Sequence, residues 1–213
     1  MSGDLFAGLN ANERLGAGTV LLRGRALPVA TDLLAGVAAV TAEAALRQMQ
    51  TPGGLTMSVA MSGCGRVSWV SDRHGYRYSP VDPLTGHPWP AMPACFLELA
   101  QAAAAEAGFP GFLPDACLIN RYLPGCKMSL HQDKDERDLS APIVSVSLGL
   151  PAIFLFGGLR RAEKAMQLTL THGDVLVWGG PDRLRYHGVR PLAPGVHPLT
   201  GECRINLTFR DAT

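Results

Sequence analysis

The chain reads as a mainly β protein with flanking helices, built as a sandwich or jelly roll. Three observations predict that class. Beyond Asp115, short alternating stretches follow one another at 116–122, 143–149, 153–156, 167–171, 175–178, 184–189 and 204–210. Turn signals separate them, among them Pro124-Gly125, Gly157-Gly158, His172-Gly173-Asp174 and Gly179-Gly180-Pro181. Little helical periodicity lies between them, so the strands must cover each other.

Taken in order, residues 1–28 form a loose lead-in with a short strand at 19–22. Thr31 is placed to cap a helix running to about Met49, with Leu33, Val37, Val40 and Ala44 on one stripe. Pro52-Gly53-Gly54 breaks the chain. Alternation over 57–61 predicts a strand, and 66–70 with 76–78 predicts a hairpin around Asp72-Arg73-His74-Gly75. Residues 79–93 are Pro-rich and irregular. A second helix starts near Pro93, turns Phe96, Leu99 and Ala103 inward, and stops at Gly108 before Pro110. The expected division is an N-terminal αβ segment over 1–90 laid on a β core over 91–213.

Composition bounds the rest. The 213 residues suffice for one good core, and 47% hydrophobic against 17% charged content excludes a disordered chain. A net charge of +1 excludes a partner held by bulk electrostatics alone. Five scattered cysteines without a C-x-x-C read as reduced thiols, which predicts a cytoplasmic protein. The segment from Met1 to Phe6 lacks a basic start and an apolar signal core, and no apolar run is long enough to cross a membrane.

The chemistry concentrates late in the chain. His131-Gln132-Asp133 sets an imidazole and a carboxylate two residues apart, on one side if the segment is extended. A second imidazole, His187, follows in an alternating stretch. Two His and one carboxylate are the facial-triad set, which holds Fe(II) and leaves positions open for a cosubstrate and dioxygen. Taken singly, each is more often an ordinary surface or core residue. The last strand strengthens the metal reading. Arg204, Asn206, Thr208 and Arg210 alternate on one face, while Ile205, Leu207 and Phe209 take the other into a core. Two guanidinium groups suit a small dicarboxylate, because Arg binds carboxylates in a bidentate fork. The bland alternative, two Arg on a surface edge, does not explain Asn206 between them.

These residues resemble the AlkB family of alkylation-repair demethylases, which depend on Fe(II) and 2-oxoglutarate. The resemblance is carried by Leu118-Ile119-Asn120-Arg121-Tyr122, His131-Gln132-Asp133-Lys134-Asp135 and Arg204-x-Asn206-Leu207-Thr208-Phe209-Arg210. It extends to Thr51-Pro52-Gly53-Gly54, to Met57 through Met61, and to Trp89-Pro90-Ala91-Met92-Pro93. It implies a double-stranded β-helix (jelly roll) core with an N-terminal nucleotide-recognition lid. It implies iron on His131, Asp133 and His187, with 2-oxoglutarate and O2 as cosubstrates. Arg204, Asn120 and Tyr122 would hold the distal carboxylate, and Arg210 with Asn206 the end near the metal. The implied reaction hydroxylates the N-methyl group of 1-methyladenine or 3-methylcytosine and releases formaldehyde, succinate and CO2. The implied partner is single-stranded DNA, with RNA and double-stranded DNA beside it, and neither a membrane nor an obligate protein partner.

The resemblance also implies substrate contacts. Trp69 would stack on the flipped base opposite His131, as acting on a base requires. Tyr76, Arg77 and Tyr78 would hold phosphate and sugar nearby, although a polar hairpin surface is the plainer reading. Asp135 would face the exocyclic amine of a cationic base, against the plainer reading of a solvated acid in a charged run. Arg161 would reach the substrate as well. Leu55 stands where the resemblance implies an aromatic. Trp178, Phe154 and Phe156 read as core, and His74, His87, His172 and His197 receive no role. Three rivals remain: an iron/2-oxoglutarate hydroxylase of a protein or small molecule, a silent nucleic-acid binder, and a zinc hydrolase. The last leaves the two Arg of the final strand unexplained.

Overall fold

A computed structural model describes residues 12–213, so the first part of the expected lead-in lies outside the described residues. The strands before the hairpin are β1 (Glu13–Gly16), β2 (Thr19–Leu22), β3 (Arg47–Gln50) and β4 (Thr56–Gly65). The hairpin is β5 (Ser68–Asp72) and β6 (Gly75–Ser79). The remainder are β7 (Ala116–Tyr122), β8 (Met128–His131), β9 (Ile143–Gly149), β10 (Ala152–Phe156), β11 (Met166–Leu170), β12 (Val175–Trp178), β13 (His187–Val189) and β14 (Arg204–Arg210). Two helices, α1 (Ala30–Glu43) and α2 (Ala94–Glu106), complete the described chain.

Eight strands form one sheet in the order β1-β2-β12-β9-β14-β7-β4-β3, and four form a second in the order β11-β10-β13-β8. The helices cover the outer face of the large sheet. Leu33, Val37, Phe96 and Ala103 pack there against Val144, Val146, Leu207 and Phe209. Between the two sheets, Met61, Leu118 and Ile143 meet Phe154, Phe156 and Leu170. This is the expected jelly-roll arrangement, and alternation causes it. Along β14, Ile205, Leu207 and Phe209 face the helices, and the polar residues between them face the space between the sheets. Burying each apolar side chain contributes on the order of 1.5–3 kcal/mol, which helps offset the cost of burying the polar ones.

Three expectations need correction. The helix expected to run to Met49 stops at Glu43, where Ala44 turns extended and frees Arg47–Gln50 to pair with β4. Its cap is not Thr31: a 3-10 turn over Leu27–Val29 leads in, with Val29 at the N-cap. The strand expected over 184–189 is regular only from His187. The large sheet draws strands from both sides of residue 90, since β1 to β4 belong to it. Only β5 and β6 stand apart, as a two-stranded sheet. No helix of the described residues is long and apolar enough to cross a membrane.

Candidate metal centre and its cavity

β8 and β13 bring the two imidazoles together. His131 and His187 are register partners across this pair, and their ring centroids lie 4.4 Å apart. A Cβ at Gly188 would stand 2.7 Å from the carbonyl oxygen of Met128, so only glycine lets the strands approach this closely. Asp133 is not on a strand. β8 ends at His131, and a loop carries the carboxylate back toward both rings. Arg183 pins that loop, donating from Nη1 to the carbonyl of Asp133 at 2.7 Å and from Nε to that of Ala141 at 3.0 Å. Gln132 ties it to the segment before His187 by donating to the carbonyl of Leu184 at 2.5 Å.

The hydrogen bonds set the tautomers. Nδ1 of His131 lies 2.8 Å from the carbonyl of Ser129, and Nδ1 of His187 lies 3.0 Å from that of Arg185. A carbonyl only accepts, so each Nδ1 carries a hydrogen and Nε2 is the nitrogen that each ring offers to a metal. Those Nε2 atoms face Asp133 at 3.7 and 3.6 Å, and one ligand atom of each residue lies within 4.8 Å of the others. Burial, with His187 adding to it, pushes His131 down to about 4, which keeps its ring neutral and able to ligate near neutral pH. Burial opposes the charge of Asp133, but Arg210 and the two imidazoles outweigh it and hold the carboxyl well below its ordinary range. Two imidazoles and one carboxylate turned toward a common point fit Fe(II).

The triad opens into a cavity of about 640 Å³ between the sheets, lined also by Asn120, Tyr122, Arg204, Asn206 and Arg210. The two arginines differ in partners. Arg210 donates from Nη2 to Asp133 Oδ2 at 2.6 Å, and its Nε lies 3.2 Å from Glu136. Arg204 is almost fully buried yet donates only to Ser147 Oγ, at 2.9 Å, with its guanidinium 5.2 Å from the ring of Tyr122. Among the described residues, its Nε and Nη1 have no partner, and neither does Asn120 Oδ1. Burial lowers the pKa of Arg204. A buried guanidinium with two unmet donors fits a carboxylate.

On the substrate side, Trp69, Tyr76, Asp135 and Arg161 line the same cavity. Trp69 stacks on Tyr76 with ring centroids 5.5 Å apart, and its indole N–H donates to Asp135 Oδ2 at 2.8 Å. Asp135, like Asp133, sits in the loop after β8. Arg77 and Tyr78 are not brought to the cavity. Arg77 pairs with Asp72 inside the hairpin at 2.8 Å, and the Tyr78 hydroxyl donates to Glu136 at 2.7 Å. Trp178 and Phe154 are buried as expected, but they also line the cavity beside His187.

Sequence reading missed the residues that seat these groups. Ser145 and Ser147 of β9 accept from Asn206 at 2.8 Å and from Arg204 at 2.9 Å. Their alternation with Val144, Val146 and Leu148 was a usable signal. Arg183 and Glu136 carried none, because their partners lie far along the chain.

A family model described as the 2OG-Fe(II) oxygenase superfamily matches residues 24–210. The chain is 60% identical to the alpha-ketoglutarate-dependent dioxygenase AlkB of Escherichia coli (strain K12), over 98% of this chain and 97% of that one. It is 35% identical to the nucleic acid dioxygenase ALKBH1 of Mus musculus, over 65% of this chain and 34% of that protein. Its fold is similar to the solved structure of OsALKBH1, with a TM-score of 0.81 and 30% identity over 94% of this chain and 99% of that one.

Proposed function

The chain belongs to the 2OG-Fe(II) oxygenase superfamily and, within it, to the AlkB family, and on that premise we propose that it repairs N-methylated bases in nucleic acid, with 1-methyladenine and 3-methylcytosine in single-stranded DNA as its main substrates. It is an Fe(II)- and 2-oxoglutarate-dependent dioxygenase. RNA and double-stranded DNA are further substrates of the same site. We place it in the cytoplasm, a reading supported by its free thiols, including the register partners Cys64 and Cys117.

The observation that carries the reading is Arg204, a buried guanidinium with unmet donors in the cavity that holds the triad. His131, Asp133 and His187 are assigned to the iron. Arg204, with Asn120 and Tyr122, is assigned to the distal carboxylate of 2-oxoglutarate, and Arg210 with Asn206 to the end near the metal. Iron, 2-oxoglutarate and dioxygen together supply the oxidising power that hydroxylates the N-methyl group, which then leaves as formaldehyde. The protein's own part is placement. Asn206 is held by Ser145 and by the carbonyl of Val146, and Thr208 donates to Asn206 Oδ1 at 3.0 Å, so the polar face of β14 does not have to reorganise.

Selection of the base rests on Trp69, Asp135 and Arg161. A ring-methylated adenine or cytosine is cationic, so an aromatic face and a carboxylate both favour it. Tyr76 buttresses Trp69. The recognition lid that we assign is the hairpin of β5 and β6 with the turn at residues 51–55, where exposed Leu55 borders the cavity. A hydroxylase of proteins or small molecules would have no use for this stacked platform. A silent binder would have no use for the intact triad.

The test is to incubate the protein with Fe(II), 2-oxoglutarate and oligonucleotides carrying 1-methyladenine or 3-methylcytosine, and to follow formaldehyde and the mass of each base. Formaldehyde and a loss of one methylene in mass are expected. Succinate without any change in the base would overturn the nucleic-acid assignment.

A further inference from the structure

Two consecutive acids fasten the hairpin to the loop after β8. Asp135 accepts from Trp69 of β5, and Glu136 accepts from Tyr78 of β6. Trp69 and Tyr78 are register partners, so the two acids grip one rung of the hairpin from one face. Their environments differ. Asp135 lines the cavity, where a base amine would compete with the indole N–H for it. Glu136 does not line the cavity and is buried. Its carboxylate lies 3.0 Å from Arg183 Nη2 and 3.2 Å from Arg210 Nε. Two guanidinium groups and a phenol offset the cost of burying it, and Arg183 is itself tied to the backbone of the loop.

We propose that Glu136 is a positioning residue: through Tyr78 it holds the recognition hairpin on the body of the protein, and so leaves Asp135 free to turn to the base. The inference rests on the base-demethylase reading of the cavity. The hairpin is a separate two-stranded sheet, and an isolated pair of strands has little stability of its own. Fixing Tyr78 fixes its register partner Trp69 whether or not Asp135 still accepts from the indole. The two acids therefore divide the work: Asp135 reads the base, and Glu136 keeps the stacking platform in place for any base.

Tyr78→Phe tests this with the least disturbance. It removes one hydroxyl and leaves the ring against Val67, Ala116 and Ala212. In the metal-free protein, amides of residues 68–79 should exchange about ten-fold faster, the loss expected for a hydrogen bond to a charged acceptor. Amides of β9 and β14 should keep their wild-type rates. KM for oligonucleotides with cationic 1-methyladenine and neutral 1-methylguanine should rise by one common factor, with kcat within two-fold. Glu136→Gln in the Tyr78→Phe background should raise KM no further. Asp135→Asn should instead change the ratio between the two bases. Wild-type exchange in the hairpin of Tyr78→Phe, or equally faster exchange throughout the molecule, would overturn the proposal. If the wild-type protein demethylates neither oligonucleotide, the functional reading fails, and the exchange experiment still decides whether Glu136 anchors the hairpin.

Discussion

β14 and the β5–β6 hairpin both mix polar with apolar residues, and they stand in opposite physical situations. β14 lies inside the large sheet. It pairs with β7 from Arg204 to Arg210 and with β9 from Arg204 to Phe209, and both its faces are buried. The hairpin pairs only with itself. Side chains hold it to the rest: Trp69 on Asp135, Tyr78 on Glu136, Ser71 on the carbonyl of Gln50, and Trp89 on the carbonyl of Ser79. The difference matches what we propose each region handles. A cosubstrate that is the same in every turnover suits a strand that cannot move. A base arriving on a flexible strand suits a platform fixed at a few points, which can yield without disturbing the core.

The largest effects should come from the rigid side. Asp133→Ala removes one of the three side chains we assign to the iron and the acceptor of Arg210, so turnover should vanish while the fold survives. Far-ultraviolet circular dichroism and formaldehyde release check this, and full activity at limiting iron would remove Asp133 from the metal centre. Arg204→Ala should raise KM for 2-oxoglutarate by an order of magnitude or more, since losing one partner of a buried charge pair costs on the order of 2–5 kcal/mol. Arg210→Ala should raise the iron requirement as well, because Asp133 and Glu136 lose the cation they share. Titrations showing a larger rise for the oligonucleotide than for 2-oxoglutarate would move these arginines to the substrate side and erase the contrast.

Intermediate effects should come from the platform. Asp135→Ala should lower activity on cationic 1-methyladenine by about 1.5–3 kcal/mol in transition-state terms and spare neutral 1-methylguanine. Trp69→Ala removes a stacking face worth about 1–3 kcal/mol per base and should weaken both. Decarboxylation of 2-oxoglutarate without substrate should persist in that variant, because Trp69 touches none of the groups that seat the cosubstrate. Equal losses on the two bases for Asp135→Ala would reduce it to a surface acid.

The smallest effect concerns pH and the hairpin alone. The Arg77 guanidinium and the His74 amide hold the Asp72 carboxyl at about 2, below its ordinary 3.8. A lowered carboxyl stabilises the folded hairpin fully above its ordinary value, and that contribution is lost as pH falls through about 2. Both side chains are half-buried, so water still screens the pair and the loss should stay local. Amide signals of residues 72–77 followed by NMR from pH 5 to pH 2 should shift together with the Asp72 carboxyl. Signals in β14 that moved with the same midpoint would show that the two regions are not independent.

Legibility followed the same line. Four strands, β7, β9, β12 and β14, fall at the residues that alternation indicates, because interior strands of a sandwich must send every second residue into a core. The missed strands β1, β3 and β8 are edges of their sheets. An edge strand has one neighbour and a solvated side, so Arg47-Gln48-Met49-Gln50 carries no alternating signal. In the candidate site, the triad and the Arg face of β14 were readable because chemistry demands those residue types at those spacings. The fate of Arg77 and Tyr78 was not, since an Arg or Tyr on a polar hairpin looks the same whether it meets phosphate, a neighbouring Asp or a buried Glu.

By itself the sequence determined the jelly-roll class, the three candidate metal ligands and the polar face of the last strand, all of which follow from local period and residue type. Only the tertiary structure decided that Arg204 meets no carboxylate among the described residues while Arg210 is neutralised, that Ser145 and Ser147 seat the amide and guanidinium, and that Glu136 joins Tyr78 to Arg183 and Arg210. The reason is physical. A charge's partners in a folded chain are set by which strands lie side by side, and that order, β9-β14-β7 here, joins residues more than fifty positions apart.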